Sequence, residues 1–366
     1  MRSVRTAAFI AVFLWAALGQ PQSPAQSWDA IEKQVDAAYL KGDLAEALRL
    51  AKLSVEAAAG PKQISQSVGR LGYLYYVSGN LKDGEPLLRQ GLEIRRREMP
   101  GTDEYAETAN FLALFCRDTR KLDEARTLAE EAVAIRTRVL DANDPTLAET
   151  METLGSIYSA RGEYDQAAAT FAKARAIYES RLDPKNPRAE YGTLLVNIAG
   201  NGQRLGKYQK AEADFQTALE VLSKNPGAQH PIYATSLLGP ALLEMELGHY
   251  AAAEKLCTQA VDLLKKELGD QHPMYLQGLA ERGNLYRSMG NYEAAEADYR
   301  ESLAARRKVF GPSHVLVAAS LANYGRLVYL RDRVEGEKLL AESAAIYAKA
   351  ANQPPFDYGG VLLSLG

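Results

Sequence analysis

The chain has 366 residues, 47% of them hydrophobic, and its 43 Lys and Arg against 46 Asp and Glu give a net charge of −3. That hydrophobic fraction is ample for a continuous core. A mildly acidic chain without basic runs is a poor candidate for binding nucleic acid or an anionic membrane surface.

The first residues resemble a secretory signal peptide. Arg2 and Arg5 form a basic start, Ala7–Leu18 is an unbroken apolar run of 12 residues, and small residues follow it. The run is too short to span a bilayer, which needs about 20 residues. Residues 1–19 are therefore predicted to be removed, with cleavage as late as residue 25 as a second option. The protein is then exported, to a periplasm or the medium, without an integral membrane span. A buried N-terminal helix or an uncleaved anchor are the alternatives.

One pattern recurs along most of the chain. Seven copies carry a glycine or a substitute at a fixed place, at steps of 41, 42, 44, 42, 42 and 42 residues, and a divergent copy precedes them by 37 residues. A fixed period of this length predicts a stack of helical hairpins with one elongated core rather than separate globular domains. The anchor positions are Gly42, Gly79, Arg120, Gly162, Gly206, Gly248, Gly290 and Asp332.

Apolar and small residues recur at intervals of three and four on both sides of each anchor, which places them on one face of a helix. The anchor glycine permits a tight turn, and small residues in the middle of both helices, such as Gly283 and Ala295, permit close approach. We expect two sets of larger side chains to fill the groove that the small residues leave. One set directly follows the turn and the other lies further along: Tyr164, Tyr208, Tyr250 and Tyr292, then Leu88, Phe171, Phe215 and Tyr299.

The small residues, the tyrosine after the anchor and the linker Leu-Gly-Asp-Gln-His-Pro at 268–273 resemble the tetratricopeptide repeat, in the 42-residue form of kinesin light chains. The resemblance covers about residues 28–350. It implies an all-α fold, a right-handed α–α superhelix (a tetratricopeptide solenoid) of about eight helical hairpins. The first helix of each pair then lines a concave groove that binds peptides. Residues 351–366 form a C-terminal tail, which either covers the last hydrophobic face or docks on a partner.

Prolines and histidines mark the hairpin starts. Proline suits the first helical position, and the polar residue before it can cap the helix. The three histidines His230, His272 and His314 are each 42 residues apart. Neighbouring repeats hold such side chains on the order of 10 Å apart, whereas metal ligands lie about 2 Å from a common centre, so capping is the better interpretation. Pro240 falls inside a first helix and is predicted to kink it.

The two cysteines, Cys116 and Cys257, lie three repeats apart. Helices packed about 8–10 Å apart would separate them by roughly 30 Å, and a disulfide needs Cα atoms within about 7 Å. We expect two buried, free thiols.

The chain lacks the sequence motifs of common enzymes. There is no Gly-Lys-Ser/Thr phosphate loop, no His-Glu-x-x-His pair and no Gly-x-Ser-x-Gly elbow, and the glycines around Asn201 have the wrong spacing for a dinucleotide site. We therefore predict a protein that is not an enzyme, with no catalytic residue, no metal site and no cofactor.

The resemblance implies groove positions at 13, 10, 9, 6 and 3 residues before the anchor. Asn side chains there offer a donor and an acceptor to a peptide backbone, and Arg side chains can pair with carboxylates. The predicted peptide-binding residues are Arg70, Tyr73, Tyr76, Asn110, Arg117, Asn197, Gln203, Asn284, Arg287, Asn323, Arg326 and Tyr329.

The favoured function is thus a non-enzymatic scaffold that binds protein or peptide segments in the groove of an exported superhelix. The alternative is a regulatory, sensor or envelope-assembly module that acts with a separate effector protein. The Lys-plus-Asn clamp of co-chaperone tetratricopeptide domains is not reproduced in two successive repeats, which disfavours the C-terminal tail of a chaperone as the partner.

Overall fold

The computed structural model describes residues 27–349 apart from 41–42, 79, 182 and 184–186. These residues form an all-α, right-handed superhelical solenoid, as the repeat pattern and the resemblance predict. The predicted signal peptide and the C-terminal tail lie outside the described residues.

Eight helical hairpins follow one another along the described chain. The first eight helices pair as α1 (Trp28–Leu40) with α2 (Leu44–Ala57), α3 (Gly60–Val77) with α4 (Leu81–Glu98), α5 (Asp103–Asp118) with α6 (Leu122–Val139), and α7 (Pro145–Ala160) with α8 (Tyr164–Ser180). The second half comprises α9 (Ala189–Arg204) with α10 (Tyr208–Leu222), α11 (Pro231–Ser236) and α12 (Leu238–Glu246) with α13 (Tyr250–Leu268), α14 (Pro273–Ser288) with α15 (Tyr292–Phe310), and α16 (Val315–Tyr329) with α17 (Arg333–Lys349).

The turns inside the third to seventh hairpins have a left-handed residue at the anchor position. Gly162, Gly206 and Gly290 have φ of 80°, 72° and 77°, and Arg120, the substitute in the third hairpin, adopts φ 64°. Such values suit glycine because a Cβ atom disfavours them. Asp332 does not have a positive φ, so the prediction that it substitutes for the turn glycine is wrong. Its side chain instead accepts a hydrogen bond from the backbone N–H of Glu335 at 3.1 Å, the capping bond that Asn291 makes with Ala294 N–H in the preceding hairpin.

Small residues allow the two helices of a hairpin to approach closely. A Cβ atom on Gly155 would lie 2.5 Å from the Phe171 ring, and one on Gly283 would lie 2.6 Å from the Tyr299 ring. The rings therefore occupy the space that the missing side chains leave, as predicted for the second set of bulky residues. Ala295 is fully buried beside Tyr299.

The tyrosines directly after the turn do not fill that groove. Tyr208, Tyr250 and Tyr292 are 41%, 39% and 51% exposed, and Tyr164 is partly exposed. Each stands at the first position of its helix, at the end of the hairpin, where no neighbouring helix covers it. The prediction for this set is wrong, since a ring at a helix end can remain at the solvent edge.

The sixth hairpin has a divided first helix. α11 ends at Ser236 and α12 begins at Leu238, four residues and two residues before Pro240. Proline has no N–H for the carbonyl of the residue four positions earlier, and its ring crowds that carbonyl. The predicted disturbance of this helix is confirmed.

Both cysteines are buried and free, which confirms that prediction. Burial raises the pKa of each thiol to about 12, so neither thiol is ionised near neutral pH.

Candidate functional site: the inner face of the solenoid

The first helices of the hairpins form the inner layer of the stack. α3 contacts α5, α5 contacts α7, α7 contacts α9, α9 contacts α12, α12 contacts α14 and α14 contacts α16, whereas each second helix packs mainly on first helices. In a curved stack the more closely spaced layer lies on the concave side. The twelve predicted groove residues all belong to this layer.

Aromatic rings line the inner face at the N-terminal end. Tyr73 stacks on Phe111 with ring centroids 4.4 Å apart, and it lies 6.1 Å from both Tyr39 and Tyr76. The Tyr76 hydroxyl donates to Asp118 Oδ2 at 2.5 Å. The structure thus brings Tyr73 and Tyr76 together with Tyr39 and Phe111, which the sequence analysis did not predict. Tyr39 lies three residues before its anchor and Phe111 nine residues before its own, so both stand at groove offsets.

The two predicted arginines at this end are already paired. Arg70 forms an ion pair with Asp36 of the preceding first helix. Arg117 donates from Nε to Asp118 Oδ1 at 2.7 Å and from Nη1 to Ser156 Oγ at 2.8 Å. Both guanidinium groups therefore connect neighbouring hairpins or neighbouring residues, and a ligand would have to compete for them.

Two predicted amides lie deeper than expected. Asn110 is 7% exposed and Gln203 is 5% exposed, and Asn110 Oδ1 and Gln203 Nε2 have no hydrogen-bond partner. Asn197 is half-buried and donates from Nδ2 to Glu152 Oε1 at 2.7 Å. Two of these amides are thus buried and the third is already bonded.

The seventh hairpin contributes one engaged and one exposed side chain. Asn284 accepts a hydrogen bond from the Tyr299 hydroxyl at 2.7 Å and donates to Glu281 Oε2 at 3.3 Å. Arg287 is exposed and makes no ion pair with the described residues. Asn284 therefore supports its own hairpin, and a change there would disturb the packing of α14 on α15.

The eighth hairpin holds the side chains that are least engaged. Asn323 and Arg326 are half-buried, and neither makes a hydrogen bond or ion pair with other residues that the structure describes. Tyr329 lies under Arg333, whose guanidinium carbon is 5.7 Å from the ring centroid. Their polar groups are accordingly available at the C-terminal end of the inner face.

The sequence analysis missed three carboxyl groups on the inner face. Glu149, Glu152 and Glu281 stand at the same offsets from their anchors as the predicted residues. Burial raises the pKa of Glu152 to about 8, against the opposing hydrogen bond from Asn197, and burial also raises the pKa of Glu149 and Glu281. Applying the offsets to the fourth hairpin, which contributed no predicted residue, would have found the first two.

The repeated histidines cap helices, as predicted. In each case Nδ1 accepts a hydrogen bond at 3.2 Å from the backbone N–H two residues on, in His230, His272 and His314. Burial lowers the pKa of all three, that of His314 to about 4. A neutral imidazole has the unprotonated nitrogen that this capping bond requires.

The described residues contain no group of three or more His, Cys, Asp or Glu that could hold a metal ion. No helix among them is long and apolar enough to cross a bilayer.

Comparisons with known proteins agree with the architecture. A family profile described as Tetratricopeptide repeat matches residues 104–180, 190–266 and 275–349. Protein KINESIN LIGHT CHAIN-RELATED 1 of Arabidopsis thaliana is 22% identical over 163 residues, which are 44% of this chain and 26% of that protein. The match thus spans about a quarter of the relative's length.

Two solved structures extend the comparison. BtubC (BKLC) from P. vanneervenii is 18% identical, with a TM-score of 0.50 over 64% of this chain and 94% of its own. A Rap protein complexed with Competence and Sporulation Factor is 14% identical, with a TM-score of 0.64 over 92% of this chain and 96% of its own. At these identities the likeness shows the fold, which is typical of protein–protein interaction scaffolds. Because the family profile covers more than half of the sequence, the chain belongs to the tetratricopeptide repeat family.

Proposed function

We propose that the protein is a non-enzymatic scaffold that binds an extended peptide or protein segment along its inner face. The observation that carries the proposal is the unused bonding capacity of Asn323 and Arg326, which have no partner among the described residues. The exposed Arg287 of the preceding hairpin lies at a related position, three residues before its anchor.

These side chains can bind both the backbone and the acidic side chains of an extended peptide. An amide such as Asn323 can donate to and accept from the backbone of one residue. Arg326 and Arg287 can each hold a carboxylate through two parallel hydrogen bonds. The half-exposed aromatic strip of Tyr39, Tyr73 and Phe111 offers apolar contact at the other end of the groove.

The Rap protein of the same fold was solved in complex with Competence and Sporulation Factor. A superhelix of this size can therefore carry a bound factor, and this supports the proposal without naming the partner here. A regulatory or assembly role with a separate effector is compatible with the same groove.

The test uses peptides selected on the purified protein from a phage library of randomised octapeptides. Asn323→Ala and Arg326→Ala should each weaken binding of a selected peptide by about 1–2 kcal/mol, or roughly 5–30-fold, the effect of one unmade hydrogen bond. Folding should change little, because neither side chain has a partner to lose.

Matched controls lie on the outer helices. Gln216 and Lys255 are exposed on α10 and α13, so Gln216→Ala and Lys255→Ala should leave affinity unchanged. If the outer substitutions abolish binding while the inner ones do not, the partner uses the convex face.

We also propose that the chain is exported, on the basis of the basic start and the apolar run at residues 7–18. Mass spectrometry of the protein from the native cell envelope or medium should show a new N-terminus near Gln20 or Gln26. Intact Met1 on the protein in the cytosol would refute export.

A further inference from the structure

Two carboxyl groups in the middle of the inner face have no counter-ion. Glu149 and Glu152 lie one helical turn apart on α7, at 13 and 10 residues before Gly162. Residues three apart on a helix share one face. Neither side chain forms an ion pair with a residue that the structure describes, whereas Asp36, Glu107 and Asp118 of other first helices do so.

The cations around this pair are bonded elsewhere. Arg117 holds Asp118 at 2.7 Å, and Arg188 holds Glu190 at 3.4 Å. Arg136 holds an aspartate of α5 at 2.8 Å. These three pairs largely neutralise themselves, so none of the three arginines is left to form an ion pair with Glu149 or Glu152.

A buried hydroxyl beside the glutamates is also without a partner. Tyr178 of α8 is 3% exposed, and its hydroxyl oxygen makes no hydrogen bond with any described residue. Tyr178 packs in one buried cluster with Leu147 and Met151 of α7, the helix that carries both glutamates. Burial raises the pKa of Tyr178, and the carboxyl groups of Glu152 and Glu149 raise it further. A buried hydroxyl without a bond is costly, about 1–3 kcal/mol, and it offers an acceptor lone pair to a ligand.

The arrangement selects one class of ligand. Glu149, Glu152 and Tyr178 together provide oxygen acceptors on an inner surface, but no group of acidic residues among those described converges closely enough to hold a metal ion. An ammonium group has three donors and a guanidinium group has five, and both can reach acceptors that are spread over several ångströms.

We propose that Glu149, Glu152 and Tyr178 bind the Lys or Arg side chain of a peptide lying in the groove. The inference rests on the proposed peptide-binding function and adds a basic residue, at the fourth hairpin, to the requirements on the ligand. Together with the unpaired arginines at the seventh and eighth hairpins, it describes a peptide with a basic residue in the middle and a carboxylate toward one end.

Binding of a basic side chain should change the protonation of the Glu152 carboxyl group. At pH 7 the Glu152 carboxyl group is mostly protonated, because burial raises its pKa to about 8. A cation beside it would lower that pKa, and the carboxyl group would release its proton on binding. The charged or titratable groups that face it are Glu149 on its own helix, Arg117 from α5, Arg136 from α6, Tyr178 from α8, and Arg188 and Glu190 at the start of α9.

The experiment uses the octapeptides selected on the wild-type protein. We expect them to share a Lys or Arg at one position, and we expect replacement of that residue by Gln to weaken binding at least tenfold. In the double variant Glu149→Gln, Glu152→Gln, the same replacement in the peptide should no longer matter. Isothermal titration calorimetry in two buffers should show proton release at pH 7 with the wild type and none with the variant.

A matched control is the double variant Glu212→Gln, Glu254→Gln on the outer helices, which should retain the preference for a basic residue. Selected peptides that bind tightly without a basic residue, or a Lys-to-Gln effect that persists in the Glu149/Glu152 variant, would overturn this inference while leaving the peptide-binding function intact. If no peptide is selected at all, both fail.

Discussion

The second, third and seventh hairpins are joined to their successors differently from the fourth, fifth and sixth. Sixteen residues after the anchor, the first group carries Arg95, Arg136 and Arg306, which are 2%, 4% and 6% exposed. At the same place the second group carries Tyr178, Leu222 and Leu264, also buried. The same stack is therefore held by charged bridges in one part and by apolar contacts in another.

Each buried arginine bonds at least two groups of the next hairpin. Arg136 Nη1 donates to Thr146 O at 3.2 Å and to Thr150 Oγ1 at 2.7 Å. Arg306 Nη1 makes the equivalent bonds to Leu316 O at 3.3 Å and Ser320 Oγ at 2.9 Å. A hydroxyl residue is needed on the facing helix to complete such a bridge.

The apolar joint at Leu264 shows a different pairing. Leu264 faces Gly278, and a Cβ atom there would lie 3.5 Å from Leu264 Cδ1. The residue fourteen positions after the buried side chain lies on the facing helix. It is Thr150 opposite Arg136, Ser320 opposite Arg306 and Gly278 opposite Leu264. Two complementary pairs thus serve one joint, because a buried guanidinium needs acceptors whereas a buried aliphatic side chain needs space.

The strongest test of the charged bridge is Arg136→Ala. This substitution leaves Asp103 and the Thr150 hydroxyl without the donor that Arg136 supplies and opens a cavity. We expect a loss of about 3–5 kcal/mol in the free energy of unfolding, measured by urea denaturation. Arg300→Ala is the control, since that side chain is 68% exposed and should cost less than about 0.5 kcal/mol. Equal effects would show that the joint does not depend on the bridge.

The apolar joint predicts a smaller loss. Leu264 is fully buried against Tyr275, Leu276 and Leu279. Leu264→Ala should cost about 3 kcal/mol through lost burial and the cavity left behind. Leu264→Met keeps the volume and should cost less than about 1.5 kcal/mol. Denaturation curves of the two variants decide, and a Met variant as unstable as the Ala variant would contradict packing as the cause.

The unpaired carboxyl groups of the fourth hairpin predict a pH effect. The Glu152 carboxyl group has an ordinary pKa in the unfolded chain and a pKa of about 8 in the fold. As pH rises between these values, the unfolded state has lost the proton that the folded state retains, so the free energy of unfolding falls. Glu152→Gln removes this loss. Allowing for partial exposure, the variant should exceed the wild type by about 2 kcal/mol at pH 9 and match it at pH 4.

Melting curves across this pH range measure the difference, with Glu212→Gln as a control that should show none. A Glu152→Gln advantage that is the same at pH 4 and pH 9 would refute a raised pKa as its origin.

The smallest expected change in stability is for a substitution of Arg306, which differs from Arg136 in its partners. Arg306 has no carboxylate partner among the described residues, and burial lowers its pKa to about 10. Replacing such a buried charge with an apolar side chain of similar volume is often neutral or stabilising. Arg306→Met should change the free energy of unfolding by less than about 1 kcal/mol. Arg136→Met should destabilise the fold, because Asp103 loses its ion-pair partner. Chemical denaturation of both variants tests this, and a larger loss for Arg306→Met would reverse our ranking.

The repeat pattern predicted the architecture well because its causes are local. Gly162 and Gly290 turn the chain by their own backbone freedom, and His272 caps the helix that starts at the next residue. The register also identified Gly283 and Tyr299 as packing partners. Such features involve residues within about one hairpin of each other.

Burial of polar side chains was not predictable in the same way. Arg95 and Arg136 look like surface residues of amphipathic helices, since arginine is mostly exposed in proteins. The one available signal was the recurrence of a Thr or Ser thirteen or fourteen residues later. The post-turn Tyr292 shows the opposite error, because its aromatic character suggested a buried ring.

By itself the sequence determined the helical hairpins, their number, their turns and their caps, since each of these follows from residues close together along the chain. Only the tertiary structure decided which polar side chains of the inner face are occupied. Arg117 and Asn197 proved to be bonded and Asn323 and Arg326 unbonded, because their potential partners come from helices about forty residues away. The superhelix sets which of those partners come within hydrogen-bonding distance, and a repeat period does not specify that distance.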